Sequence, residues 1–460
     1  MKSESVASAE TLFSSDERTK LEYIFRTLCR PPQRGYCHLK DVMRSDSCLG
    51  YLSEDLRKNL YQFFLHVIPP NEKMNRDDRE PKDVVYYDDF LVSCAHILKG
   101  SSSEKARLMC CLATGRFGQE VSYCEMLTAL RRMLTAYMAF SRKSPEYSSW
   151  RFADINGEIA TAFSSYLGQD LFFQGQAQCD TADSEPNSMS SEDDVERWLT
   201  RCPVLLNMID MIFSTAFPIG SEEEYLRLRT MMIPLTQNAE WDKFNTILNV
   251  TNALVVNHAI PIELRSKWRF LFSTTVHGSS FTTFTGHIMN KGSTLIIIRD
   301  RDGHVFGAFA EEGWEHNGQF YGSNKTFLFS LNPIVDVYPS SGYNHHYQYF
   351  NQGQETIPNG IGFGGQFNYF GLWIDAEFGS GHSRAQPKNT TFNSPQLSAK
   401  ENFEIDYMEV WGIGEEKKPT SEDEEDGVPK SILDKDPEAK AILSLIGRAP
   451  ISEGLREEDP

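Results

Sequence analysis

Histidine is the side chain of this sequence best suited to catalysis or metal binding, and it is concentrated in one region. Seven of the eleven histidines lie between His277 and His382, and imidazole serves both as a general base and as a zinc ligand. His345 and His346 are neighbours, so on a strand they would point to opposite faces of the sheet. Neither H-x-x-x-H nor H-E-x-x-H occurs, and all nine cysteines lie at or before Cys202. The pattern therefore predicts no metal and no cofactor.

A serine nucleophile would need a base and a carboxylate that orients the base. Ser273 and Ser383 lie near His277 and His382 in the sequence, and Glu409 falls on a predicted strand. The nucleophile elbow G-x-S-x-G is absent, since residues 379–383 read GSGHS. A triad formed by residues that are distant in the sequence stays an open alternative. The alternative interpretation is therefore an oxidation-resistance enzyme or a hydrolase with a site built from His277, His382 and Glu409.

Two further loops partly resemble ligand-binding motifs. An EF-hand loop requires a glycine at its sixth position and a bidentate Glu at its twelfth. Residues 75–80 contain no glycine, and residues 154–157 place one two positions too early. The helical region is thus predicted to be EF-hand-like without metal, with a calcium-responsive adaptor as the alternative. The glycines within 362–365 are not followed by Gly-Lys-Ser/Thr, so they predict backbone bends beside the aromatic residues of 363–370 rather than a phosphate site.

The elements that must position these residues change character along the chain. Residues 16–173 show apolar side chains at helical spacing, as in Leu21, Ile24, Phe25 and Leu28. We divide the first half into a disordered N-terminus (1–15), a helical domain (16–173), an acidic linker (174–196) and connecting helices (197–234).

From Trp268 onward the apolar period falls to about two, which indicates strands. Residues 294–299 and 304–309 flank the turn DRDG and predict a β-hairpin. The fold class is therefore predicted to be α+β, with a helical N-terminal domain followed, over residues 235–414, by a β-sandwich with flanking helices.

The C-terminal segment begins with an acidic linker (415–435) and ends with a polar tail (448–460). Between them, residues 436–447 predict an amphipathic helix that Asp436 caps and Gly447 ends. Ile442, Leu445 and Ile446 form its apolar face. A helix of about ten residues is marginal alone in water, so these three residues are predicted to bind a partner or to fold back on the chain.

Composition limits the partners of the whole chain. Its net charge is −19, with 45 basic and 64 acidic residues, which disfavours nucleic acid. The odd number of cysteines, without a C-x-x-C pair, indicates a reducing, cytoplasmic setting. No apolar run approaches the ~20 residues that span a bilayer. Residues 1–10 lack a secretion signal, and Lys2 replaces the glycine that myristoylation requires.

Several motifs together resemble a known family. Residues 235–414 resemble the TLDc domain, through WRFLFS (268–273), HGSSF (277–281), FGAF (306–309), FLF (327–329), FGLWID (370–375) and MEVW (408–411). A second set of motifs is similar to the mTOR-associated TLDc proteins of lysosomes, the MEAK family. These motifs are GHSRA (381–385), FNSPQLS (392–398), KSILD (430–434) and SEGLRE (452–457).

The resemblance implies a regulator rather than an enzyme. TLDc proteins bind the vacuolar proton-pumping ATPase (V-ATPase) at the lysosome surface, the mTOR-associated members support mTOR signalling, and other relatives protect cells from oxidative stress. Such proteins commonly begin Met-Gly, whereas this chain has Lys2. We therefore expect a cytoplasmic adaptor, without a transmembrane segment, held peripherally on the lysosomal membrane by its protein partner.

Overall fold

The structure is a computed structural model that describes residues 3–73, 83–172 and 189–416. Its N-terminal half is helical, as the apolar periodicity predicts. The helices are α1 (Glu4–Leu12), α2 (Ser15–Leu28), α3 (Leu39–Val42), α4 (Glu54–His66), α5 (Tyr87–Cys94), α6 (Ser102–Thr114), α7 (Tyr123–Ser141), α8 (Pro145–Ser148), α9 (Gly157–Phe172), α10 (Glu192–Arg201), α11 (Pro203–Ala216) and α12 (Glu222–Met232).

Four very short strands organise these helices in pairs. They are β1 (Tyr36–Cys37), β2 (Val85–Tyr86), β3 (Val121–Ser122) and β4 (Met189–Ser190). β1 pairs antiparallel with β2, and β3 with β4, and each strand directly precedes a helix or lies within two residues of one. Helix–loop–helix units coupled by such a short β pairing are typical of EF-hand lobes. The helical half therefore contains two EF-hand-like pairs.

The structure differs from the predicted boundaries in two places. The N-terminus was expected to be disordered over residues 1–15, but α1 is capped by Ser3 and buries Val6 and Ala9. The acidic linker was expected to reach residue 196, but α10 begins at Glu192 and buries Trp198. Glu192, Asp193 and Asp194 lie in its first turn, where their negative charges interact favourably with the positive end of the helix dipole.

The connecting helices predicted over residues 197–234 correspond to α10, α11 and α12 in the structure. α10 and α11 are separated at Pro203, which occupies the first position of α11 and lacks the N–H that a continuing helix needs.

The C-terminal half forms strands and a few helices. The helices are α13 (Val250–Ala259), α14 (Thr274–His277) and α15 (Phe281–Ile288). The strands are β5 (Leu235–Gln237), β6 (Lys267–Ser273), β7 (Thr294–Asp300), β8 (Val305–Ala310), β9 (Asn317–Tyr321), β10 (Phe327–Asn332), β11 (Asp336–Pro339), β12 (Gln348–Asn351), β13 (Gly360–Phe363), β14 (Leu372–Asp375), β15 (Ser380–His382) and β16 (Asn402–Ile413).

The long strand β16 joins two sheets. Its C-terminal part lies between β6 and β7, and the first sheet continues through β8, β10 and β11. Its first residues pair with β15, from which the second sheet continues through β14, β13, β12 and β9. The predicted hairpin is present as β7 and β8, in antiparallel register. The α+β fold class is thus confirmed.

The first sheet is buried on both faces because its side chains alternate between two cores. Ile296 and Ile298 of β7 point into a core shared with the second sheet, where they meet residues such as Phe363. Leu295 and Ile297 point the other way, into a core shared with the helical half. The helical half therefore shares a core with one face of the first sheet, and a second core lies between the two sheets.

Candidate functional site

Glu409 lies in the interior of the protein, where its side chain is fully buried. Its carboxylate accepts hydrogen bonds from the Thr246 hydroxyl at 2.7 Å, the Tyr407 hydroxyl at 3.2 Å and Trp411 Nε1 at 3.3 Å. Burial raises the pKa of Glu409 to about 7, and the hydrogen bonds oppose that shift. Since Thr246 precedes α13, this carboxylate links β16 to the segment that leads into that helix.

The two candidate histidines have surroundings unlike that of Glu409. His277 ends α14, and its Nδ1 lies 3.2 Å from the backbone nitrogen of Ser273. His382 lies on β15, where its ring stacks on Trp373 at a centroid distance of 6.0 Å. Burial lowers the pKa of His382 to about 4, so its imidazole is neutral at physiological pH.

The register of β16 separates these candidates. Asn402 of β16 lies opposite His382, whereas Glu409 lies opposite Ser273. These two positions are seven residues apart on one strand, which corresponds to about 23 Å at ~3.3 Å per residue. His382 therefore does not meet Glu409, and the structure does not assemble the catalytic site proposed from His277, His382 and Glu409.

The neighbouring serine hydroxyls are engaged with the backbone. Ser273 Oγ accepts a hydrogen bond from the Val276 nitrogen and so caps α14. Ser383 Oγ donates to the Gly371 carbonyl at 2.7 Å and accepts from the Leu397 nitrogen at 2.9 Å. Both serines are fully buried, so these hydroxyls stabilise local structure. Across the described ranges, no group of three or more His, Cys, Asp or Glu side chains is arranged to hold a metal ion.

The outer face of the second sheet carries a layer of contacting aromatic rings, which we term the aromatic face. Phe370 stacks on Trp373 at a centroid distance of 4.4 Å, and Phe320 stacks on His346 at 4.3 Å. Phe367 contacts Phe320 at 5.5 Å. With Tyr349, which is buried beneath Phe367, the aromatic face comprises Phe320, His346, Tyr349, Phe367, Phe370 and Trp373.

Two loops at the edge of this face expose large aromatic side chains. Phe367 is 41% exposed and Tyr343 is 79% exposed. Thr391 ties their loops together, because its hydroxyl accepts from the Gly365 nitrogen and donates to Asn344 Oδ1, both at 2.9 Å. The exposed rings are thus presented on loops of fixed relative position.

Glycines make room for this packing, as the sequence predicts for 362–365. A Cβ atom on Gly362 would lie 2.5 Å from a ring carbon of Phe370 and 2.9 Å from one of Trp373. Gly364 and Gly365 have φ angles of 68° and 76°, in the left-handed region that glycine adopts without strain. Gly362 therefore leaves space for the aromatic rings, and Gly364 and Gly365 allow the backbone to bend beside them.

The predicted partner-binding residues Ile442, Leu445 and Ile446 lie outside the described residues, as do most of the predicted acidic linker and the whole of the helix over 436–447. Within the part of the chain that the structure describes, no helix is long and apolar enough to cross a membrane.

Known proteins are similar in sequence to the residues that form this architecture. The TLDc domain family matches residues 241–414, which span the two sheets from the segment before α13 to the end of β16. Two packed sheets joined by one long strand, together with this match, define a TLDc-domain protein. The human nuclear receptor coactivator 7 shares 31% identity over 221 residues, which cover 45% of this chain and 22% of that protein.

Two further relatives are similar over most of the chain, and they share one name. The human "MTOR-associated protein MEAK7" is 38% identical over 380 residues, covering 82% of this chain and 81% of that protein. The Xenopus laevis protein of the same name is 31% identical over 458 residues, covering 96% and 95%. The chain belongs to the MEAK7 family of TLDc proteins.

The sequence did not reveal that the rings of the aromatic face pack together in one layer. Phe320, Tyr349 and Trp373 come from β9, β12 and β14, which are far apart in the sequence. A usable signal was present in the alternation of each strand, since Tyr349 and Trp373 point away from the core that Phe350 and Leu372 fill.

Proposed function

We propose that this chain is a non-catalytic regulator that docks on the V-ATPase at the lysosomal membrane and supports mTOR signalling. The human and Xenopus laevis relatives that match over most of the chain are named mTOR-associated proteins, and the TLDc resemblance adds the pump as the partner. The observation that carries the proposal is the aromatic face, with exposed Phe367 and Tyr343 at its edge.

The interior placement of the reactive groups favours docking over catalysis. Glu409 and Ser383 are fully buried, and their polar atoms bind groups of the protein itself. His382 is stacked on Trp373. Carboxylate and hydroxyl groups that are hydrogen-bonded inside a core contribute to stability, whereas exposed aromatic rings are frequent anchors of protein–protein interfaces.

The tail is proposed as a second contact. Ile442, Leu445 and Ile446 would give a short helix an apolar face, and an acidic tether would raise its effective concentration near the pump. Two contacts on one chain allow weak individual interactions to produce firm attachment.

Association with the pump tests both contacts. Detergent-solubilised lysosomal membranes are incubated with the tagged full-length protein, and co-purified V-ATPase is quantified by immunoblot. We expect about tenfold less V-ATPase with Tyr343→Ser/Phe367→Ser and with Leu445→Asp/Ile446→Asp. Tyr23→Ser serves as a matched control, because Tyr23 is 70% exposed but lies on α2 of the helical half.

Each outcome has a distinct meaning. If the tail variant captures V-ATPase as wild type does, Leu445 and Ile446 are not part of the interface, and the same result with the loop variant excludes Tyr343 and Phe367. If wild-type protein itself captures no V-ATPase from lysosomes that contain it, the proposal is wrong. If a variant captures the pump normally but phosphorylation of mTOR substrates falls in cells that express it, signalling and docking are separate functions.

A further inference from the structure

The first helix–loop–helix unit has EF-hand geometry with a basic residue where calcium would be bound. Asp41 lies at the third position of α3 and accepts a hydrogen bond from the His38 nitrogen at 2.9 Å. With Asp41 counted as the twelfth loop position, Gly35 is the sixth, and its φ of 78° is the left-handed geometry that this position requires. Arg34 then occupies the fifth position, where calcium loops have an oxygen ligand.

Arg34 turns back into its own loop. Its guanidinium Nη2 contacts the Asp41 carboxylate, and its Nε donates to the Tyr36 carbonyl at 3.0 Å. The side chains of Arg34 and Asp41 are only 14% and 4% exposed. A buried guanidinium thus neutralises the loop-terminal carboxylate and satisfies a loop carbonyl, which are the two tasks of a bound calcium ion.

In the second unit the corresponding carboxylate pairs with a lysine that precedes the loop. Asp89 is the third residue of α5, fully buried, and it accepts from the Tyr86 nitrogen at 3.1 Å. Lys73 Nζ lies 2.9 Å from Asp89 Oδ1 and also donates to the Leu65 carbonyl at 2.5 Å. The β1–β2 pairing couples the two units, so both cations support the same lobe.

We propose that Arg34 and Lys73 are built-in counter-ions that take the place of calcium, so that the first EF-hand-like pair is held folded without metal and does not respond to calcium. Replacing one partner of a buried ion pair leaves an uncompensated charge, which is strongly destabilising. Replacing both partners removes that penalty. The helical half then stays packed on the first sheet whether or not calcium is present.

A double-mutant cycle in the full-length protein tests this proposal. The melting temperature is measured for wild type, Arg34→Met, Arg34→Lys, Asp41→Asn and Arg34→Met/Asp41→Asn, each in EGTA and in millimolar calcium chloride. We expect Arg34→Met to lower the melting temperature by about 5 °C. Arg34→Lys should lower it less, and the double variant should regain part of the loss. Calcium should leave the wild-type value unchanged.

A surface ion pair of the same segment provides the control. Arg30 pairs with Asp46, with both side chains about 60% exposed, so Arg30→Met should change the melting temperature by less than about 1 °C. Amide hydrogen exchange at residues 34–38 supplies a local readout and should accelerate in Arg34→Met. The proposal is overturned if Arg34→Met is as stable as wild type, if the two substitutions are strictly additive, or if calcium stabilises wild type and Asp41→Asn abolishes that effect.

Discussion

Trp150, which follows α8 in the helical half, packs on Trp411 of β16 with ring centroids 4.9 Å apart. Trp150 also contacts Trp268 at 5.5 Å and stacks on Phe152 at 4.7 Å, and its Nε1 donates to the Pro234 carbonyl at 2.8 Å. Aromatic rings bury large apolar areas and interact specifically at these distances. This cluster therefore joins the helical half to the first sheet.

Replacing Trp150 should destabilise both halves together. Trp150→Ala removes a side chain that is 4% exposed, and such a truncation costs about 4 kcal/mol. Chemical denaturation followed by far-UV circular dichroism should show one transition at lower denaturant concentration. Trp150→Phe should lose less than half as much, while Tyr23→Ala on the surface should lose almost nothing. Two separate transitions in wild type would contradict a shared core.

The TLDc domain alone should be poorly soluble. Residues 235–414 would lack Trp150, which packs on Trp268 and Trp411 in the whole chain, and so would expose part of that fully buried apolar face. Large contiguous apolar patches promote association. We expect this fragment to bind a hydrophobic dye and to elute as aggregates in size-exclusion chromatography, whereas residues 1–416 elute as a monodisperse species. A monodisperse, dye-negative fragment would show that the helical cover is dispensable.

Glu409 should make stability depend on pH in a defined direction. Its pKa rises from 4.5 to about 7 on folding because of burial, so the folded state binds the proton more tightly. The stability that this group contributes is present in full below pH 4.5 and is lost as pH rises through 7. The difference corresponds to about 3 kcal/mol.

Glu409→Gln isolates this effect from the other titrating groups. The difference in unfolding free energy, variant minus wild type, should become more positive between pH 5 and pH 8, because the neutral amide avoids burying a charge. Denaturant titrations at the two pH values measure it. Glu401→Gln, in an exposed pair with Arg384, should show no comparable change. A difference that stays constant across this range would mean that Glu409 titrates normally in the folded protein.

Local patterns in the sequence were sufficient where an element is defined by its own neighbours. β7 and β8 are apolar at almost every position because both of their faces are buried, and the DRDG turn between them contains Gly303 at φ 90°. Helices α2 and α4 each bury the face that their periodicity defines. In these cases the side chains that specify the element lie within it.

The features that the sequence did not reveal depend on contacts between segments that are distant along the chain. The distance between His382 and Glu409 depends on the register of β16 against two other strands. Residues 189–196 have a composition typical of a linker, but Trp198 a few residues later inserts into the core and donates to the Leu167 carbonyl. The Trp150 cluster likewise forms from segments separated by more than 80 residues. No local periodicity reports such contacts.

Gly362 provides the sharpest test of the aromatic face itself. A methyl group there would overlap the rings of Phe370 and Trp373, at 2.5 Å and 2.9 Å, and overpacking of this kind costs about 2 kcal/mol. Because Phe320 rests on Phe370, displacement of that ring should reorganise the surface above it. Gly362→Ala should therefore lower stability, change the near-UV circular dichroism of the aromatic residues and reduce V-ATPase capture together.

Gly286→Ala is the matched control, since Gly286 lies in α15 with no heavy atom within 4 Å of the added methyl group. Alanine favours a helix over glycine, so this variant should be as stable as wild type or slightly more stable. If Gly362→Ala loses stability but captures V-ATPase normally, the packing is structural and the docking surface lies elsewhere on the domain. If Gly362→Ala matches Gly286→Ala in every measurement, the rings do not pack over Gly362 as described.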